Sequence, residues 1–121
     1  NISLLQKIIK YLNKERADDW IDLHNMRSIE YGNILHIDAH MTLPWYYNIV
    51  EAHASIQELE TSIKKEYGSQ VELFIHTDAC KPTSCCICKK ECSVRQYPFD
   101  QQIEWTLANV LKNKQHNNEK R

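Results

Sequence analysis

The sequence predicts a small α+β domain with its elements in the order α-β-β-α-β. Apolar residues recur at helical spacing in two segments and alternate with polar residues in three others. The length of 121 residues, 42% of them hydrophobic, is that of one compact domain. We therefore expect a single domain over residues 1–111 and a polar tail over residues 112–121.

The first half of the chain predicts one helix and a hairpin. Residues 2–16 carry an apolar residue every three to four positions, which is typical of an amphipathic helix. The period changes to two from Trp20, and a turn at residues 31–33 separates two strands. In the second strand His36, Asp38 and His40 alternate with apolar neighbours and therefore share one face.

The second half begins with a helix over residues 47–67, where Gly68 is suited to end it. A third strand follows from Val71, with His76 and Asp78 near its end. Residues 79–95 form a Cys-rich loop. The spacing of Ile103, Leu107, Val110 and Leu111 predicts a C-terminal helix over residues 97–113.

Composition excludes several functions. Fifteen basic and 16 acidic residues give a formal net charge of −1, which provides no strong positive field for nucleic acid or an anionic membrane surface. The apolar runs are too short for a membrane-spanning helix, and no signal segment is visible. Because the chain begins with Asn1 rather than Met, we expect it to be part of a longer protein. No nucleophile–base pattern or phosphate-binding loop is recognisable, so we do not expect an enzyme.

The three predicted strands each present imidazole or carboxylate groups on their polar face, where residues two apart point the same way. These groups suit Zn²⁺ and similar divalent ions if the strands pair in the right register. The candidate ligands are His24, His40, His76 and Asp78. His53 flanks the apolar stripe of the second helix and is a further candidate. Taken singly, His36 and Asp38 are interpreted as surface residues, and so is His116 in the tail.

The thiols form a separate cluster. Four of the five cysteines fall within residues 85–92, and in a reducing compartment such clusters hold a metal more often than a disulfide. The interpretation we favour is a structural zinc site, with the neighbouring Cys86 pointing away or exchanging roles with Cys85. The predicted ligands are Cys80, Cys85, Cys88 and Cys92. A redox dithiol at Cys85 and Cys88, or unliganded thiols, stay open as alternatives.

Several segments taken together resemble the cytosolic C-terminal domain of cation diffusion facilitator transporters, the family of zinc and manganese exporters. They are residues 22–27, Gly32, residues 36–40, residues 51–53 and residues 75–78. The resemblance covers roughly residues 20–79 and depends on the order and spacing of these motifs. It implies a ferredoxin-like, metallochaperone-like domain on the cytoplasmic side of the cell membrane, forming a homodimer below the membrane part of the same transporter.

The resemblance also implies a role for particular residues. By position, the regulatory ligands for Zn²⁺ or another divalent transition metal are His24, His40, His53, His76 and Asp78. Asp22 and His36 do not match that set and are neighbours of the ligands or bystanders. The implied function is a cytosolic regulatory and dimerisation domain in which metal shifts the dimer state, with no nucleic-acid partner and no membrane insertion by this part of the chain.

Two further hypotheses remain open. The chain could be a stand-alone metal carrier or thiol redox protein built on the Cys cluster, or a small-ligand regulatory module on the same scaffold. Exposed aromatic residues would supply a patch for dimer contacts. They are predicted to be Trp20, Trp45, Tyr46 and Phe74.

Overall fold

The structure is a computed structural model that describes residues 2–116. The helices and strands follow the predicted order, and this confirms the α+β fold. They are α1 (Ile2–Glu15), β1 (Asp22–Tyr31), β2 (Ile34–Leu43), α2 (Ile49–Tyr67), β3 (Val71–Ala79) and a one-turn helix α3 (Leu107–Val110). Two short 3₁₀ segments, Gly68–Gln70 and Pro82–Ile87, flank β3. None of the helices within residues 2–116 is both long and apolar enough to cross a bilayer.

The three strands form one sheet with β2 at its centre. β1 and β2 pair antiparallel as the predicted hairpin, whereas β3 pairs parallel to β2. Parallel pairing requires a long crossover connection, and α2 provides it. The polar faces of all three strands therefore lie side by side on the same surface of the sheet.

Helix α2 is bounded by local signals in the sequence. The Asn48 side chain accepts a hydrogen bond from the backbone N–H of Glu51, and the Glu51 carboxylate accepts one from the backbone N–H of Asn48. This reciprocal arrangement is a capping box, which satisfies two amide groups at the start of the helix. Gly68 ends α2 with φ +68° and ψ −151°, a conformation nearly confined to glycine.

The core lies between the helices and the apolar face of the sheet. The apolar residues of β2 are almost completely buried, and Ile37, Ala39 and Met41 have no exposed surface. Leu5, Ile8, Ile9 and Leu12 of α1 pack in the same cluster, together with residues of α2. Burial of each large apolar side chain contributes roughly 1.5–3 kcal/mol, so this face fixes the sheet from which the polar residues project.

The predicted helix over residues 97–113 is wrong for most of its length. Residues 96–106 run without regular structure, and only Leu107–Val110 are helical. Trp105 is buried at 1% exposure, and the Asn13 side chain bonds both the backbone N–H and the carbonyl of Trp105. Contacts with α1 thus hold this segment extended and override its helical spacing. We call residues 96–116 the C-terminal strap.

Arg16 also anchors the strap. Its guanidinium lies 3.8 Å from the centre of the Trp105 ring and donates to the carbonyls of Ile103 and Ile21. Burial lowers the pKa of Arg16 to about 10. The cation therefore ties the strap to the residue that precedes β1.

Two expectations about exposure need correction. Trp20 does not contribute to a surface patch: it is buried at 2% exposure and its indole N–H donates to Ser55 Oγ. Trp45, Tyr46 and Phe74 are exposed. The second correction concerns the polar face of β1 near Asp22, which is covered by the end of the strap instead of being open.

Candidate metal centre

Strand register brings the candidate ligands into one row across the sheet. His24 of β1 pairs with His40 of β2, and His40 in turn pairs with His76 of β3. Asp78 lies two residues beyond His76 on the same face, opposite Thr42. Residues from three distant parts of the chain are therefore neighbours at the end of the sheet where β1 begins.

His24, His40 and Asp78 converge most closely. One carboxylate oxygen of Asp78, Oδ2, lies 2.9 Å from His24 Nε2 and 3.1 Å from His40 Nδ1. Within residues 2–116, this is the one group of three His, Cys or acidic residues whose ligand atoms all lie within 4.8 Å of one another. Two imidazoles and a carboxylate form a donor set that suits Zn²⁺ and other divalent transition metals.

The other two predicted ligands of the sheet face are placed differently. His76 stacks on His40 with the ring centres 5.0 Å apart, and it is exposed. It is not part of the converging group. His53 is an exposed residue of α2 and does not join the group either.

A β-bulge sets the position of His24, and the sequence pattern did not reveal it. The register shifts between His24 and Arg27, where β1 has one more residue than β2. Asn25 in the bulge has φ +51°, a conformation that asparagine tolerates better than most residues. Its backbone N–H turns away from β2 and donates to the carbonyl of Lys112 at 2.6 Å. The bulge thus attaches the strap beside His24.

Asp22 and His116 complete the surroundings of His24. The Asp22 carboxylate accepts hydrogen bonds from the backbone N–H and from the ring Nδ1 of His116, each 2.6 Å long. Its Oδ2 also lies 3.4 Å from His24 Nδ1. The prediction of His116 as a surface residue is wrong, because its side chain is 9% exposed. No apolar periodicity marks residues 112–116, so only the path of the strap reveals this contact.

Electrostatics support an ionised carboxylate at Asp22. Burial alone would raise the pKa of Asp22, but hydrogen bonds from His116 and His24 outweigh it and lower the pKa. Burial would likewise lower the pKa of His24, while the hydrogen bonds and charges of Asp22 and Asp78 raise it. Asp22 and Asp78 therefore favour a positive charge on the His24 ring between them, and a divalent cation is the alternative source of that charge.

His36 belongs to a second polar cluster farther along β2. Its ring bonds the Glu72 carboxylate at 2.9 Å and lies 3.4 Å from Asp38. The Tyr31 hydroxyl donates to the same Glu72 oxygen. The hydrogen bond with Glu72 raises the pKa of His36. His36 thus pairs with carboxylates of its own, away from the group around Asp78.

The thiols follow β3 in the chain, beginning with Cys80 two residues after Asp78. None of the five cysteines, all of which lie within residues 2–116, forms a disulfide. A common cavity of about 20 Å³ is lined by Cys80, Cys85, Cys88 and Cys92, and Cys86 is not part of its lining. Burial raises the pKa of both Cys80 and Cys88. That direction is opposite to the lowered pKa that activates a redox thiol.

The fold is that of a ferredoxin-like α+β domain. Its polar sheet face carries a row of imidazoles. Residues 3–80, well over half of the chain, match the family described as "cation efflux protein, cytoplasmic domain". The chain belongs to this family. This confirms the resemblance to the cytosolic domain of cation diffusion facilitators that the motifs of residues 20–79 indicated.

Solved structures of low sequence identity share the fold. A structure of CzrB, described as a candidate zinc transporter, has a TM-score of 0.58 and 16% identity over 65% of this chain and 95% of that chain. A zinc form of CzrB gives a TM-score of 0.57 with 17% identity, over 64% and 85% of the two chains.

The C-terminal domain of the magnetosome protein MamB from Desulfamplus magnetovallimortis BW-1 is similar as well. Its TM-score is 0.54 with 16% identity, over 64% of this chain and 93% of that chain. No curated protein sequence matches the chain significantly. The strap and most of the Cys-rich loop lie beyond residue 80, where the family match ends.

Proposed function

We propose that this chain is the cytosolic domain of a divalent-metal efflux transporter, and that it binds zinc or a similar ion through His24, His40 and Asp78. The main support for the proposal is that the rings of His24 and His40 both lie within hydrogen-bond distance of one carboxylate oxygen of Asp78. Membership of the cation efflux family favours a transporter domain over a stand-alone carrier.

Protons and a metal ion compete for the same ring nitrogens of His24 and His40. The ring nitrogens of His24 and His40 that face Asp78 must be free of protons to ligate a cation. Asp22 takes no part in ligation. Its Oδ2 lies 3.4 Å from the other nitrogen of the His24 ring, and a carboxylate on that side of the ring favours the orientation in which Nε2 faces the site.

The binding site is also placed to regulate association of two protomers. His40 and Asp78 are half-buried and His76 is exposed, so the site opens onto solvent at the polar face of the sheet. His76 and His53 are accessible to a second protomer in a homodimer. An ion that is bound more tightly in one dimer arrangement shifts the population toward it, and a shift from 1:99 to 99:1 requires about 10⁴-fold differential affinity.

Calorimetric titration of the metal-free chain with Zn²⁺ tests the binding site. We expect Asp78→Asn and His40→Ala to weaken binding at this site strongly. His36→Ala is the matched control, because His36 is on the same face of β2 but pairs with Glu72. Equal binding by Asp78→Asn and wild type would exclude the assignment.

Small-angle scattering of the same samples tests the regulatory step. The dimer should become more compact on addition of Zn²⁺, and Asp78→Asn should remove the response. If the wild type binds metal at the sheet face without any change in scattering, the domain is a static dimerisation module with a metal site.

A further inference from the structure

Thiols of the Cys-rich loop line a cavity that is chemically distinct from the metal centre on the sheet face. Cys80 directly after β3, Cys85 in the 3₁₀ segment, and Cys88 and Cys92 in the following loop line it. Ile21, Pro44 and Tyr46 also contribute to the lining. Its volume of about 20 Å³ is close to the minimum needed for one water molecule or an ion.

Two of the sulfurs accept hydrogen bonds from backbone amides of other segments. The N–H of Trp45 donates to Cys80 Sγ at 3.4 Å, across the junction of β2 and α2. The N–H of Gln96, at the start of the strap, donates to Cys85 Sγ at 3.4 Å. Such donors stabilise a thiolate more than a neutral thiol.

The other two sulfurs lie beside polar groups. Cys88 is near the backbone N–H of Lys90, and Cys92 is near the hydroxyl group of Tyr46. Two of the four cavity thiols, Cys80 and Cys85, are therefore oriented by backbone hydrogen-bond donors, as metal-bound thiolates commonly are.

Cys86 provides an internal contrast. Its Sγ donates to the carbonyl of Thr83 at 3.4 Å and is not among the atoms that line the cavity. A group that donates in this way is a protonated thiol. The thiols of Cys80 and Cys85 thus accept hydrogen bonds at the cavity, whereas the thiol of Cys86 donates one outside it.

Positive charge surrounds the same cavity. Lys90 and Arg95 contribute to its lining. The Arg95 guanidinium donates to the carbonyls of Cys85, Cys88 and Lys90 at 2.7–2.8 Å, which fixes the curvature of the loop. Four thiolates around one divalent ion carry net negative charge, and these two cations offset it.

We propose that Cys80, Cys85, Cys88 and Cys92 bind one Zn²⁺ ion in a closed four-thiolate site. Thiolates select zinc over hard cations such as Mg²⁺ or Ca²⁺, and each thiol releases its proton to solvent on binding. No three of these sulfurs lie within 4.8 Å of one another in the described residues. The loop therefore tightens, since sulfurs about 2.3 Å from zinc are ~3.8 Å apart.

The site has a structural consequence for the strap. Cys86 accepts backbone hydrogen bonds from Asp100 and Gln101, while Ile87 and Cys88 pack on Ile21. A zinc ion that fastens the Cys loop thereby fastens the start of the strap, whose far end brings His116 to Asp22. Metal at the thiols would order the surroundings of the sheet-face site without occupying it.

Substitution with Co²⁺ under reducing conditions tests the proposal directly. Binding to four thiolates gives the wild-type chain an intense sulfur-to-cobalt absorption in the near ultraviolet, together with tetrahedral visible bands. Cys88→Ser should reduce that absorption and lower the tightly held zinc from about one equivalent toward none. Cys86→Ser is the matched control and should leave both unchanged.

Two further arms separate this site from the sheet face and from misfolding. Asp78→Asn removes the sheet-face site and should keep the full sulfur-to-cobalt absorption. The experiment therefore tests the thiol site independently of the proposed metal site on the sheet face. Cys92→Ser replaces a less buried thiol and should show the same loss as Cys88→Ser with circular dichroism unchanged. Absence of the absorption in the reduced wild type, or an equal loss in Cys86→Ser, would overturn the assignment.

Discussion

Asp22 and His116 are 94 positions apart in sequence and share two hydrogen bonds, from the backbone N–H and the ring of His116 to one carboxylate. The same carboxylate lies beside His24, which faces Asp78 with its other ring nitrogen. A chain of contacts therefore connects the end of the strap to the candidate metal centre. His116 Nε2 is buried and has no hydrogen-bond partner among residues 2–116.

Asp22→Asn should weaken metal binding at the sheet face by about 10–100-fold without removing a ligand. The amide cannot supply the negative charge that holds the His24 ring in place, and losses of this size are typical when a carboxylate behind a ligating histidine is replaced. Competition with a chelator of known affinity measures the effect. Asp38→Asn is the control, because Asp38 lies near His36 instead. Unchanged affinity in Asp22→Asn would show that His24 is positioned by other contacts.

The elements with strong periodicity could be predicted from sequence. Leu35, Ile37, Ala39 and Met41 alternate with polar residues and indeed line the core, so β2 has one possible orientation. That orientation also places His40 on the open face. Once the strands pair, the meeting of His40 and Asp78 follows from register, whereas His24 also depends on the bulge in β1.

The features that were missed depend on tertiary contacts. The bulge at Asn25 adds one residue to β1, and nothing in the alternation of apolar residues marks it. Residues 97–113 have helical spacing, but Asn13 and Arg16 hold Trp105 in an extended segment. His116 reaches Asp22 only because of that extended path. Helix propensity determines the conformation of such a segment only when no neighbouring group forms hydrogen bonds with its backbone instead.

Trp105→Ala should destabilise the domain by about 3–5 kcal/mol, the usual cost of removing a buried tryptophan side chain. The ring fills the space between α1 and the sheet at 1% exposure and carries Arg16 on its face. Urea denaturation measures the free energy of unfolding. Phe99→Ala in the same strap is the control, since Phe99 is 43% exposed and should cost far less. Similar losses in both variants would mean that Trp105 does not anchor the strap.

The pKa of His36 should lie above the ordinary value for histidine and fall in Glu72→Gln. The Glu72 carboxylate, with a smaller contribution from Asp38, stabilises the charged imidazole. Because the folded-state pKa is raised, the interaction stabilises the domain below the unfolded-state pKa, and this contribution is lost as pH rises through the folded-state value. Titration of the ring protons by NMR gives the pKa directly.

The same NMR experiment has a built-in comparison with the metal centre. Addition of Zn²⁺ should perturb the ring signals of His24 and His40 and leave those of His36 in place, because His36 interacts with Glu72 and Asp38 at another part of the sheet. A titration of His36 that is identical in wild type and Glu72→Gln would exclude the proposed interaction.

Gly68→Ala should destabilise the domain by about 1–3 kcal/mol, even though no atom lies within 4 Å of where the new Cβ would be. The cost comes from the backbone, because φ +68° with ψ −151° is a region that residues with a side chain rarely occupy. Gly32, in the hairpin turn with φ +61°, is the matched position for comparison. Asparagine tolerates left-handed turn conformations, so Gly32→Asn should cost much less than Gly68→Ala in thermal unfolding. Equal midpoints for wild type and Gly68→Ala would show that α2 can end without a glycine conformation, and that the entry into β3 is set by the pairing of Val71 with Leu35 alone.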